Sequence, residues 1–93
     1  MDKLYLINTV IKEYFEQNKM EIIVPAKDLM PLFIKAGIFP KDHKKGLPIR
    51  NVLRNLAATK QLHLIPFVQA EKKSQNTNWY FRAVLIFKAS NFE

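Results

Sequence analysis

Ninety-three residues with a formal net charge of +7, 48% apolar residues and 12% aromatics make one small domain, 1–93, that can bury a core but keeps a thin stability margin. With no cysteine, a disulfide framework and thiolate chemistry are excluded, and a reducing compartment suits the chain. Lys12, Glu13 and Glu16 interrupt the apolar residues near the N-terminus, and no later apolar run has membrane-spanning length, so the chain is expected to be cytoplasmic, with neither signal peptide nor membrane partner.

Over 3–17, Leu4, Ile7, Val10, Ile11, Tyr14 and Phe15 recur at the spacing of one helical face. Asp2 is the expected N-cap and Asn18 suits the end. Residues 20–24 (Met-Glu-Ile-Ile-Val) are too short for a helix and rich in β-branched side chains, which predicts a strand. In the next segment Pro31 is tolerated only in the first turn of a helix. With Asp28 as N-cap the helix covers 29–36, Leu29, Leu32, Phe33 and Ala36 form its buried stripe, and Gly37 takes the left-handed C′ position ahead of Ile38.

A basic loop over 39–46 leads into a third helix that starts near Pro48 and ends at Thr59 or Lys60. Its apolar stripe is Ile49, Val52, Leu53 and Leu56; its opposite face is Arg50, Asn51, Arg54 and Asn55. From Leu62 the pattern turns to strand. Residues 62–68 form one arm, 71–78 a polar tip and 79–87 the returning arm of a hairpin, with an outward edge or a bulge needed at Pro66.

The order helix, short strand, helix, helix, strand, loop, strand resembles the winged helix-turn-helix superfamily over residues 3–87. The resemblance implies an α+β winged helix-turn-helix fold of three helices, a short strand and a C-terminal β-hairpin wing. It also implies that the third helix enters a DNA major groove. The link from Gly37 to Leu47 is longer than the turn of compact helix-turn-helix units.

Charge supports that implication. Residues 1–37 carry five basic and five acidic groups, whereas 38–93 carry ten basic and three acidic. A one-sided basic field suits a polyanionic partner, although it also serves solubility alone. Arginine can bind guanine O6 and N7 together and asparagine can pair with adenine N6 and N7, so Arg50, Asn51, Arg54 and Asn55 are the expected base contacts. A solvated amphipathic face is the plainer alternative. Against it, no acid occurs from Leu47 through Leu62 to make the i,i+4 pairs of an ordinary exposed face, and asparagine is a poor helix former.

Lys41, Lys44 and Lys45 before this helix, and Lys72 and Lys73 in the hairpin, are the expected phosphate contacts, or else solvated loop charges. Ser74, Gln75, Asn76 and Asn78 are further possible donors. Trp79, Phe81, Ala83, Leu85 and Phe87 alternate onto one face, which suits core packing better than base stacking. The expected function is double-stranded DNA binding in transcriptional regulation. The alternatives are a protein-interaction winged-helix module in a larger assembly, or RNA binding.

No catalytic arrangement is expected. His43 and His63 lack metal-ligand spacing, Ser74 and Ser90 lack a nucleophile elbow, and the two glycines form no phosphate-binding loop. No cofactor or metal is expected. The opposite face of the last strand, Tyr80, Arg82, Val84 and Ile86, is too apolar for open water, and Val10 and Phe15 widen the stripe of the first helix. These two surfaces predict a homodimer or docking to a further domain, unless the first helix covers the strand within one chain.

Overall fold

The computed structural model describes residues 2–83. Helix α1 is Lys3–Gln17, with Asp2 at its N-cap accepting the Leu4 N–H at 3.1 Å. Ile7, Ile11 and Phe15 are buried on its inner face, flanked by half-buried Leu4, Val10 and Tyr14. At its end the Asn18 side chain donates to the Tyr14 carbonyl. No helix among the described residues is long and apolar enough to cross a membrane.

The first strand, β1, is Ile23–Pro25 rather than 20–24. The Glu21 N–H donates to the Asn18 carbonyl, so residues 18–21 are spent on the turn out of α1, and Met20 is 93% exposed. A 3₁₀ turn at Ala26–Leu29 then precedes α2, Met30–Lys35. Pro31 does fall in the first turn of this helix, but Leu29 occupies the N-cap position and no side chain, Asp28 included, makes a capping bond. The tighter 3₁₀ turn advances each residue by about 120° rather than 100° and so shifts the buried stripe. Met30 and Phe33 are buried, while Leu32 is 38% exposed and Ala36 is also exposed.

Both following helix ends use left-handed residues. After α2, Gly37 has φ +80°, its N–H donates to the Ile34 carbonyl and the Ile38 N–H to the Phe33 carbonyl, each at 2.9 Å. Helix α3, Leu47–Ala58, has Pro48 in its first turn. It ends in the same Schellman pattern, with Lys60 at φ +60° and the Gln61 N–H reaching the Leu56 carbonyl at 2.7 Å.

The expected arm 62–68 is mostly not a strand. Leu62–Leu64 is a 3₁₀ turn, and the Ile65 and Val68 N–H groups donate three residues back. Pro66 therefore lies in a turn and requires no bulge. Strand β2 is Val68–Lys72 and β3 is Thr77–Arg82, so the hairpin tip shrinks to 73–76. The Lys73 N–H closes it by donating to the Asn76 carbonyl at 2.7 Å. Val84, Leu85, Ile86 and Phe87 of the expected returning arm, together with Ser90, lie outside the described residues.

The three strands form an antiparallel sheet ordered β1-β3-β2. Central β3 buries Trp79 and Phe81, and Ala83 beyond it is also buried. With helices and an antiparallel sheet around one core the class is α+β. Phe33 of α2 sits at its centre, edge-on to Phe39 and Phe81 at 6.1 and 6.2 Å between ring centroids. Phe15 of α1 stacks toward Phe67, so it serves the chain's own core and does not widen an outer face. Tyr80, half-buried on the other side of β3, donates its hydroxyl to Glu71 Oε1 on β2 at 3.3 Å.

Candidate nucleic-acid interface

Helix α3 turns Ile49, Leu53 and Leu56 into the core, which sends Asn51, Arg54 and Asn55 to solvent. Opposite it stands the tip of the β2–β3 hairpin. Between them runs an open groove of about 740 Å³, with Arg50 and Arg54 on the helix wall and the seven residues 73–79 on the other. Lys73 adds a third cation; Ser74, Gln75, Asn76, Thr77 and Asn78 add hydroxyl and amide groups. No acidic residue lines it among the described residues.

Arg50 departs from the expected outward face. It is half-buried, and its guanidinium turns back so that Nη2 donates to the Lys44 carbonyl at 3.0 Å and Nη1 to the Lys45 carbonyl at 3.3 Å. Its Nε is shielded and has no hydrogen-bond partner. The cause is local geometry: the chain enters α3 through a loop that doubles back within reach of a long side chain one turn into the helix. Arg54 has more freedom. It donates from Nη1 to Asn51 Oδ1 at 3.3 Å, an exposed bond of the kind that exchanges readily with water or a ligand.

The loop before α3 is ordered by Asp42, whose Oδ1 accepts the Gly46 N–H at 2.8 Å. Lys44, Lys45 and Gly46 have φ of +53°, +49° and +96°, three consecutive left-handed residues. Lys45 borders a shallow depression with Lys27, Asp28, Pro31 and Asp42. Lys41 is exposed and Lys72 sits on β2 opposite Thr77; neither lines the groove, nor does Asn55.

Two groups near the groove escaped the sequence. Lys27 and Thr77 border a second depression of about 320 Å³ that shares Arg50 and continues toward Tyr80. Lys27 comes from the 3₁₀ turn, far from α3 in sequence, and no motif marks that approach. Thr77 lies in the polar run 71–78 yet stands at the start of β3. Burial first, and then the Glu71 carboxylate beside it, raise the Tyr80 phenol above its ordinary value, and its O–H is donated to Glu71 Oε1. Comparison of the chain with protein families, curated proteins and solved structures finds no match.

Proposed function

We propose that the chain is a winged helix-turn-helix domain that binds double-stranded DNA and regulates transcription. Helix α3 enters the major groove, and the β2–β3 hairpin acts as the wing against the backbone or an adjacent groove. The observation that carries this reading is the groove, without acids among the described residues, in which Arg50 and Arg54 face Lys73 and a row of amide and hydroxyl groups. Cations and neutral donors in one channel suit phosphates and base edges together. The sheet order β1-β3-β2 supports the fold assignment, as does the groove that the hairpin tip shares with α3.

In this reading Arg54, Asn51 and Asn55 approach base edges, while Lys73, Lys72, Lys41, Lys44 and Lys45 approach phosphates. The test is a fluorescence-anisotropy titration against random duplex, single-stranded DNA and RNA at two salt concentrations. Duplex is expected to bind most tightly, with affinity falling as salt rises. Arg54→Ala is expected to weaken binding to the preferred duplex by about 1–3 kcal/mol while shifting stability by no more than about 0.5 kcal/mol. Preference for RNA or single strand, or equal affinity of Arg54→Ala and wild type, overturns the reading.

A further inference from the structure

The turn 44–46 is built in an uncommon way. Residues with a Cβ are disfavoured in the left-handed region, yet Lys44 and Lys45 both occupy it, followed by Gly46. Consecutive left-handed residues persist only where surrounding contacts over-determine them, and such places are often functional. Here the contacts are on the backbone. The His43 carbonyl accepts the Leu47 N–H at 3.2 Å and the Gly46 carbonyl accepts the Arg50 N–H at 3.0 Å. Arg50 Nη2 and Nη1 take the Lys44 and Lys45 carbonyls between them. Four successive carbonyls are thus occupied, three of them by Arg50.

From the other side, Gly46 presses on the 3₁₀ turn so closely that a Cβ there would lie 2.5 Å from the Lys27 Cβ. The negative ends of the loop dipoles are consequently engaged by hydrogen bonds, and the two exposed lysines are left as the charge this turn offers to solvent. Arg50 is poorly free to read a base, since two of its N–H groups are engaged and a third, on Nε, is shielded.

We propose that Arg50 is a positioning residue. It braces turn 44–46 so that Lys44 and Lys45 act as a preformed clamp for adjacent phosphates of a duplex backbone, and it does not itself read bases. The proposal rests on the DNA-binding reading above. A fork that spans two carbonyls is a property of guanidinium that an ammonium does not share, so Arg50→Lys keeps the charge and loses the brace.

Two measurements test it. In the free protein, limited trypsin digestion reports opening of the chain after Lys44 and Lys45. Both Arg50→Ala and Arg50→Lys are expected to speed cleavage there by roughly tenfold, the population change that two lost side-chain-to-carbonyl hydrogen bonds bring. Circular dichroism confirms that each variant is folded.

In duplex binding, the slope of log affinity against log salt is expected to become shallower by about 1.8 in both variants, the equivalent of two phosphate contacts. The double variant Lys44→Ala/Lys45→Ala is expected to match that slope, and to add little when combined with Arg50→Ala. Unchanged cleavage, or full rescue by Arg50→Lys, overturns the proposal. So does altered base preference in Arg50→Ala with a slope change of about 0.9 or less. Wild-type protein without duplex affinity overturns the proposal along with the reading beneath it. That outcome is distinguishable because the digestion, done without DNA, still reports whether Arg50 braces the turn.

Discussion

At the scale of single residues, similar side chains on one helix have different surroundings. Arg50 and Arg54 are one turn apart on α3, yet Arg50 bonds to the loop behind it and Arg54 only to Asn51 across the exposed surface. The difference is one of reach: residue 50 stands over the carbonyls of 44 and 45, whereas residue 54 is a turn farther from them. Gly46 shows the same dependence on neighbours. With φ +96° and Lys27 against it, any side chain meets both backbone strain and a clash. Gly46→Ala is expected to cost about 1–3 kcal/mol, read as a fall in melting temperature of about 4–8 °C per kcal/mol for a domain of this size. An unchanged melting temperature would mean that the loop relaxes freely away from the 3₁₀ turn.

At the scale of elements, helices with strong periodicity and clear ends matched their sequence patterns best. Helix α1 begins beside Asp2 and stops at Asn18 because a side-chain acceptor serves the first turn and a side-chain donor the last. Helix α3 begins around Pro48 because the missing N–H of proline costs nothing there. Its inner face is anchored by Leu53, which is fully buried. Leu53→Ala is expected to destabilise the protein by about 2–5 kcal/mol, measured by urea denaturation with the slope of the transition unchanged. A loss under about 1 kcal/mol would contradict the packing of α3 on the core. Helix α2 was less legible. Its six residues carry too little periodicity to fix a face, and the 3₁₀ turn ahead of it rotated the stripe away from Leu32 and Ala36.

At the scale of the whole molecule, long-range pairing assembles the site. Ile23 pairs with Arg82 and Val24 with Phe81 across most of the chain, and this pairing makes β3 the central strand and leaves β1 and β2 at the edges. Apolar side chains remain outside: Tyr5, Ile22 and Ile23 are 60%, 51% and 39% exposed. Phe15, one of the residues behind the dimer expectation, is turned into the core, and Tyr80 is bonded to Glu71. The expected homodimer is tested by sedimentation over a concentration series. A mass rising with concentration agrees with it, and a constant monomer mass at all concentrations ends it.

The sequence by itself determined the class of the fold, the extents of α1 and α3, the glycine stop at Gly37 and the burial of Phe33, Leu53 and Trp79. These follow from apolar spacing and backbone restrictions, which act over a few neighbouring residues. Of the expected contacts it marked Arg50, Arg54 and Lys73, which line the groove, because clustered cations without acids are visible in one dimension. Asn51, Asn55, Lys41, Lys44, Lys45 and Lys72, by contrast, lie outside its lining. The tertiary structure alone decided the length of the hairpin, the position of β1, the approach of Lys27 to Gly46 and the inward turn of Arg50. A short apolar run such as 62–68 satisfies its backbone equally well with local turns or with a ladder, and the choice depends on which partner the fold brings alongside. Likewise, a long cationic side chain goes where acceptors lie, and the free carbonyls of Lys44 and Lys45 come within reach only when the loop folds back over α3.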